Sequence, residues 1–472
     1  MGLSAPVVVG LRCGPVCTVR TVSSNRYCMS TPTPLMPDQL ANTLQQAMQC
    51  QRQGQLDSAE ALYQQVLAQA PQQADALHLL GVLHAQRRDF ARAHDLIWQA
   101  ITVNPDEAMF YNNLANVCVE RGLLQEAEPL YVRAIELDSG RIDALSNLGL
   151  LMSRTDREEE AETLLARAVE LDPGNADWRQ NLANLYLRLG RIPEALQLTH
   201  DGLITAPRSR VLKTLLAQSY QMAGKHDLAA EVLRAWIRDE PDDPYPHHHL
   251  PACTGEQVPE RASDSYVVSV FDSFARSFDA NLGKLSYKAP ALVAAEVARR
   301  CGPPGKALAV LDAGCGTGLC GPLLLPFASQ LTGVDLSEGM LRLAVERQVY
   351  DGLFKGELVA FLQASPAAFD LIVSADTLCY FGALQAFAAA VVGALRPGGL
   401  LVFSAEALAD ETPESGYLLL AHGRYSHLRR YVESVLQAAG LVDIDLQAVI
   451  LRNEGGLPVN GWLVSARAAS HH

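Results

Sequence analysis

The sequence predicts two architectures in one chain of 472 residues: an all-helical solenoid of repeats over 38–243, then a doubly wound α/β domain over 264–468. Three observations predict this. Prolines fall at Pro71, Pro105, Pro173, Pro207 and Pro241, each gap being 34 residues or twice 34, with Ser139 at the skipped position. Alanines recur in the same phase at Ala59, Ala93, Ala127, Ala161, Ala195 and Ala229. Beyond residue 300, short apolar runs alternate with helical stretches, the pattern of a parallel sheet with right-handed crossovers.

Residues 1–37 hold Arg12, Arg20 and Arg26, five prolines and no acidic residue. They read as a disordered leader. A basic, acid-free start is also transit-like, and Met29 and Met36 are alternative starts.

The repeats follow, six of them. A third register carries small residues, Ala47, Gly81, Ala115, Gly149, Ala183 and Ala217, which let neighbouring helices approach closely. A fourth reads Gly54, Arg88, Gly122, Asp156, Gly190 and Gly224. This is a turn position, where glycine reaches φ > 0 without steric cost. Each repeat is two amphipathic helices around that turn, and proline ends the second helix. Four registers in phase resemble the tetratricopeptide repeat family, which implies a right-handed solenoid with a concave face for a protein or peptide partner. Asn112, Asn113 and Asn116, with Asn147, Asn181 and Asn184 on later helices, form a ladder. It is open to two readings: binding an extended backbone, or bonding helix to helix.

Residues 244–263 read as a linker. His247, His249 and Cys253 within it invite a metal reading, but no fourth ligand follows at a usual spacing; a closing helix with partly exposed histidines is expected instead, and no metal. Residues 266–292 are helical in period, with Val267, Val270, Phe271, Phe274 and Phe278 on one stripe.

The α/β domain opens on the strand Leu308–Asp312 and the turn Asp312-Ala313-Gly314-Cys315-Gly316-Thr317-Gly318. A nicotinamide fingerprint needs glycine where Leu319 stands, and there is no phosphate-cradling GK[ST]. Asp312 at the strand tip suits a cation. A second strand, Leu331–Asp335, ends on an acid placed for a ribose diol. A third run, Phe369–Ala375, ends at Asp376, and Leu400–Ser404 follows a helix. Asp312, Asp335 and Asp376 therefore converge at the carboxyl ends of the strands. The last strands are expected over Asp443–Arg452 and Trp462–Ala466.

The pieces VLDAGCGTG, GVDLS, FDLIVSADTLCYF and LRPGGLLVFS together resemble the class I S-adenosylmethionine-dependent methyltransferases. With the repeats, the chain resembles predicted methyltransferases that contain tetratricopeptide repeats. The resemblance implies a Rossmann-like seven-stranded domain and S-adenosylmethionine as cofactor. It implies that Asp312, Ala313, Gly314, Cys315 and Gly316 wall the methionine part, with Ser374 and Ala375 beneath it. Asp335 holds the ribose, Leu336 and Met340 flank the adenine, and Glu357 beside Leu358 meets its amine. It also implies that residues 266–292 cover the site.

Ten dispersed cysteines suit reduced thiols and a cytoplasmic protein. A net charge of −14 argues against nucleic acid, and no run is long and apolar enough for a membrane span. Methyl transfer needs a base only where the acceptor loses a proton. Asp376, Tyr380, His422 and His427 are the candidates, and Asp376, Tyr380 and His427 are assigned as catalytic. Arg424, Arg429 and Arg430 suit an anionic acceptor. The favoured function is a methyltransferase acting on a small molecule, with the repeats as an interaction module. The alternatives are a protein methyltransferase whose repeats recruit the polypeptide, and a non-catalytic scaffold.

Overall fold

A computed structural model describes residues 37–409, 414–454 and 457–470. The leader expected over 1–37 lies outside the described residues except for Pro37, which opens the first helix. The chain divides into two compact units, with the division between Ser219 and Tyr220.

The repeats form helix pairs: α1 (Pro37–Arg52) and α2 (Leu56–Gln69), α3 (Ala74–Gln86) and α4 (Phe90–Val103), α5 (Ala108–Glu120) and α6 (Leu124–Leu137), α7 (Ile142–Arg154) and α8 (Glu158–Leu171). The same pairing continues in α9 (Ala176–Arg188) and α10 (Ile192–Thr205), and α11 (Arg210–Met222) and α12 (His226–Asp239) follow in chain order. Each 34-residue register has a structural reason. The alanines at 59, 93, 127, 161, 195 and 229 are all fully buried. A Cβ on Gly81 would stand 2.6 Å from Ile97 Cγ1, and one on Gly149 2.8 Å from Leu165 Cγ, so helices meet where these side chains are absent. All six turn residues have positive φ, including the non-glycines Arg88 at 62° and Asp156 at 59°.

The asparagine ladder bonds helix to helix. Asn147 Nδ2 donates to the side-chain oxygens of Asn112 and Asn116, each at 3.1 Å, and Asn112 Nδ2 reaches Asp143 Oδ2 at 3.1 Å. Tyr131 donates to Asn116 Oδ1 at 2.6 Å, and Asn181 to Ser146 Oγ at 2.9 Å.

In the second unit, α13 (Pro244–Thr254) is a closing helix at the histidine run, within the stretch read as a linker, and its His248 and His249 are buried rather than partly exposed. Its histidines do not form a metal cluster. His247 Nε2 bonds Pro241 O, His249 Nε2 bonds Tyr266 Oη at 3.1 Å, and Cys253 Sγ accepts from Gln221. The helical stretch expected over 266–292 is two helices, α14 (Asp264–Lys284) and α15 (Ala289–Cys301). Ser286 at φ 51° breaks the path, and Pro290 fits only a first turn. The side chain of Phe274 lies outside the described residues.

The sheet is built from β1 (Leu308–Ala313), α16 (Gly321–Leu324), β2 (Ala328–Asp335), α17 (Glu338–Glu346), β3 (Gly352–Lys355), α18 (Leu358–Gln363) and β4 (Phe369–Ser374). A 3-10 turn at Leu378–Tyr380 leads to α19 (Gln385–Ala394) and β5 (Leu395–Ala407). Then come β6 (Tyr417–Leu419), β7 (Tyr425–His427), α20 (Arg429–Ala438), β8 (Leu441–Glu454) and β9 (Leu457–Ala468). Strands β3, β2, β1, β4 and β5 run parallel in that order, β9 lies antiparallel to β5, and β8 pairs with β9. These seven match the expected domain, but among the described residues the sheet has nine strands. The two additions, β6 and β7, form a short ribbon whose β7 pairs with Glu406–Ala407 beyond the end of β4.

Adjacent strand residues go to opposite covered faces, as a parallel sheet requires. Leu311, Ile372 and Leu401 pack with α18, α19 and α20, while Val310, Leu371 and Leu400 pack with Val293 and Val297 of α15. Chain order reverses between β1 and β4, so a crevice opens at their carboxyl ends.

Candidate functional site

That crevice holds a cavity of about 290 Å³. Its floor is the turn after β1. Gly314 has φ 75°, and both Gly314 and Cys315 donate their backbone N–H to Val334 O at 2.9 and 3.0 Å. A Cβ on Gly314 would stand 2.2 Å from Thr377 Oγ1, so only glycine fits.

Asp312 lines the cavity and is 1% exposed. Tyr350 donates to its Oδ2 at 2.6 Å. Burial pushes its carboxyl up to about 7, against the opposing pull of that bond. Asp335, at the end of β2, accepts from Gly316 N and Ser337 N, both at 2.8 Å. Burial raises its pKa too, and those N–H groups oppose the rise. Leu336, Met340 and Leu358 give an apolar slot beside it. Glu357 also lines the cavity, but its carboxylate caps α18, accepting from Val359 N at 3.0 Å and Ala360 N at 2.7 Å.

The wall opposite carries Ala375, Asp376, Thr377, Cys379 and Tyr380. Asp376 sits at φ 56°, a conformation that Asp tolerates better than most residues. Its Oδ2 accepts from Arg452 Nη1 at 2.5 Å, and its Oδ1 is buried with no hydrogen-bond partner. Burial raises its pKa, and the Arg452 guanidinium pulls it back. Arg452 also donates to Glu406 and, from Nε, to Glu454 at 2.7 Å. Arg424 binds the same two acids, Glu406 and Glu454, each at 2.6 Å. Burial raises the Tyr380 phenol well above its ordinary value, so it stays protonated. Its ring meets Phe271 edge-on at 5.4 Å.

Helix α14 forms part of this wall through Phe271, Phe278 and Leu282. It is tied down at both ends of that stretch. Asp272 Oδ1 accepts from Ser337 Oγ at 2.5 Å and Gly339 N at 3.2 Å. Asp279 accepts from Thr317 Oγ1 at 2.5 Å and Arg347 Nη2 at 2.6 Å.

Three expected site residues stand elsewhere. His427 is fully buried on β7; its Nε2 bonds Gly382 O at 3.1 Å, and its ring stacks on Tyr431 at 6.0 Å. It is not in the cavity wall, because its strand belongs to the β6–β7 ribbon and its ring is bonded and stacked within the fold. Burial holds its imidazole down to about 4. Ser374 and Ala313 are also fully buried and outside the wall; Ser374 Oγ donates to Ala313 O at 2.8 Å, tying β4 to β1. His422 stands behind Glu406, at 3.9 Å, and is likewise not in the wall. Of the arginine cluster, only Arg424 reaches the cavity, and it does so already paired. Arg429 is on the surface with Glu433.

Sequence reading missed Arg452, Glu406, Glu454, Tyr287 and Tyr350. Glu406 and Arg452 each interrupt an apolar strand run, a signal that was there to find. Tyr350, in the connection after α17, carried none.

A family model described as a methyltransferase domain matches residues 311–403. Two tetratricopeptide repeat models match 51–117 with 156–218, and 106–174. A malonyl-[acyl-carrier protein] O-methyltransferase of Erwinia pyrifoliae is 29% identical over 211 residues, 42% of this chain and 74% of that protein. A ubiquinone biosynthesis O-methyltransferase of Idiomarina loihiensis is 30% identical over 175 residues, 34% of this chain and 69% of that protein. Among solved structures, the type IV pilus biogenesis factor PilW is similar, with a TM-score of 0.40 and 18% identity over 44% of this chain and 96% of its own. S-adenosylmethionine is the methyl donor that the domain and its relatives imply. The floor fits such a cationic, ribose-bearing group. It has a glycine turn that a Cβ would fill, and a buried carboxylate held by a phenol. A second carboxylate stands at the next strand end. The chain therefore belongs to the S-adenosylmethionine-dependent methyltransferases, with tetratricopeptide repeats ahead of the methyltransferase domain.

Proposed function

We propose that the chain methylates an oxygen of a small-molecule acceptor and that its repeats bind a protein or peptide partner. One observation carries the first part: a single cavity runs from Asp312 and Asp335 to the carboxylate of Asp376 and is lined between them by apolar and aromatic side chains. At about 290 Å³ it lies at the lower edge of the range for ligand pockets. The relatives named as O-methyltransferases support oxygen as the target. In this reading Asp312 neutralises the positive end of the methionine, Asp335 accepts from the ribose hydroxyls, and Leu336, Met340 and Leu358 hold the adenine. Glu357 keeps its capping bonds and offers remaining lone pairs to the adenine amine. The cofactor supplies an electrophilic methyl on a sulfonium. The protein's share is orientation and exclusion of water. Tyr380 donates, as a protonated phenol, and does not serve as the base.

Two measurements test this. Asp335→Ala is expected to weaken S-adenosylmethionine binding by about 1–3 kcal/mol in a folded protein, the loss of charge-assisted bonds to a diol. Unchanged affinity by calorimetry removes Asp335 from the site. Incubation with methyl-labelled cofactor and fractionated extract is expected to label small metabolites. Label confined to protein supports instead an enzyme whose repeats recruit a polypeptide, and no label anywhere supports a scaffold.

A further inference from the structure

Beyond the cofactor floor, the cavity wall carries Asp376 and Glu454 with Arg424 and Arg452, and Glu406 stands behind them, paired with both arginines. Of the arginines read from the sequence as suited to an anion, Arg424 alone lines the cavity, and both it and Arg452 are occupied. Each of the three nitrogens of Arg452 donates to a different carboxylate. Arg424 spends its Nε and one terminal nitrogen on Glu406 and Glu454. Arg261, at the rim, is bound to Asp264. Three carboxylates against two guanidiniums leave an excess of one negative charge. Glu406 and Arg452 are 3% and 5% exposed, so water screens that excess little. An incoming carboxylate or phosphate would meet repulsion, and Arg424 and Arg452 already spend their forks on carboxylates.

One polar atom at this end lacks a partner, Asp376 Oδ1. A buried carboxylate oxygen without a donor is costly and calls for one. Phe271, Tyr287, Leu319, Tyr380 and Phe381 give the space around it apolar and aromatic walls. The backbone of Asp376 is fixed by its N–H to Ser404 Oγ at 2.9 Å, and its other oxygen by Arg452, so Oδ1 has a set direction.

We infer that the acceptor is an uncharged hydroxyl on an aromatic or apolar skeleton, that Asp376 Oδ1 receives its proton, and that Arg452 is the positioning residue that holds Asp376 for this task. This rests on the methyltransferase reading and adds the class of acceptor. In the step, a lone pair of the hydroxyl oxygen forms the bond to the methyl carbon. The carbon–sulfur bond breaks, and its electron pair stays on sulfur as a neutral thioether. The hydroxyl proton passes to Asp376 Oδ1. One sulfonium, one neutral alcohol and one carboxylate become one thioether, one methyl ether and one carboxylic acid, so charge and atoms balance.

The test uses the purified full chain and two probes that share a ring system, naphthol and naphthoate, at neutral pH. S-adenosylhomocysteine binding is measured first by calorimetry; its absence overturns the methyltransferase reading and this inference with it. With that ligand bound, naphthol is expected to bind at least about tenfold more tightly than naphthoate, and to be the probe that takes label from S-adenosylmethionine. In Asp376→Asn, which removes the excess charge, the preference is expected to shrink severalfold or reverse, with methylation lost. Should Asp376→Asn fail to fold, Glu454→Gln makes the same change of charge at a partly exposed position, and the same narrowing is expected. Arg452→Lys is expected to retain S-adenosylhomocysteine binding and to shift the pH profile of naphthol methylation, which a purely structural role would leave in place. Naphthoate binding as tightly as naphthol, or neither probe binding while S-adenosylhomocysteine does, overturns the inference.

Discussion

Asp312 is a carboxylate held in a place where carboxylates prefer to be neutral. Its pKa stands at about 7 against an ordinary 3.8, raised first by burial. A raised carboxyl pKa means that the folded protein holds a proton the unfolded chain has released. The resulting stability is present below the ordinary carboxylate range and is lost as pH rises through about 7. A cation beside Asp312 reverses that loss. We therefore expect the thermal stabilisation by S-adenosylmethionine to grow as pH rises towards about 7 and to level off above it, with proton release on binding below it. Calorimetry in two buffers of different ionisation enthalpy reads the released proton directly. Tyr350→Phe removes the bond that lowers this pKa and is expected to move the midpoint upward. A stabilisation flat across this range would separate Asp312 from the cofactor's positive end. His427 presents the contrasting case. Fully buried and bonded to Gly382 O, it is expected to act on stability alone. His427→Ala should cost about 2–4 kcal/mol in chemical denaturation and leave S-adenosylhomocysteine affinity unchanged. A changed affinity at unchanged stability would return it to the site. The sequence showed the acids at the strand ends because each closes an apolar run before a turn. It misplaced His427 because a three-residue strand has no periodicity to mark it.

Among the elements, the repeat helices were the most legible, since each register answers to one packing constraint used six times. The alanines face helix neighbours, the small residues admit a close approach, and the turn position needs positive φ. The last of these yields a prediction. At Arg88 and Asp156 a side chain occupies a conformation that glycine adopts freely. Asp156→Gly removes that strain, of roughly 1 kcal/mol, and is expected to raise stability slightly despite the more flexible unfolded chain. Gly122→Ala, at φ 77° with open space around it, is expected to lower stability by a similar amount through backbone strain alone. Thermal melts of both variants check the pair; a destabilised Asp156→Gly would show that the side chain does more than tolerate the turn. Less legible were the elements fixed by distant contacts. The break between α14 and α15 follows the edge of β8, where Lys288 N donates to Leu451 O at 2.8 Å and Asn453 N to Leu285 O at 2.7 Å. A residue-266-to-292 window cannot contain that partner. The ion pairs of Arg452 join β8 to β5 and to the end of β4 in the same way.

At the scale of the whole molecule, the question is where the methyltransferase unit starts. Sequence placed a linker over 244–263, with a closing helix at its histidines. The compact unit instead begins at Tyr220, and α13 is packed into it. His248 Nε2 bonds Gly423 O at 2.8 Å, and its ring stacks on Tyr266 at 3.9 Å. His249 reaches the Tyr266 hydroxyl and stacks on Tyr245 at 4.1 Å, and Tyr245 in turn stacks on Trp236 of α12 at 5.4 Å. This aromatic column has little to do with charge. Burial lowers the pKa of both histidines, that of His249 to about 3, so the column is neutral across the ordinary pH range. Tyr266, 4% exposed, lies near the start of α14, the helix that carries Phe271 and Phe278 into the cavity wall. Removing α13 would strip one face of Tyr266 and leave Gly423 O without its donor. A fragment beginning at Tyr220 is therefore expected to fold and to bind S-adenosylhomocysteine as the full chain does. A fragment beginning at Gly255 is expected to lose about 3 kcal/mol of stability, or roughly 10 °C for a domain of this size, and to bind the ligand more weakly because α14 is no longer anchored. Melting curves and calorimetry on the two fragments, side by side with the full chain, decide between them. Equal stability and affinity for the two would make α13 a linker after all, and failure of the longer fragment to bind, while the full chain binds, would show that the division at Tyr220 is wrong.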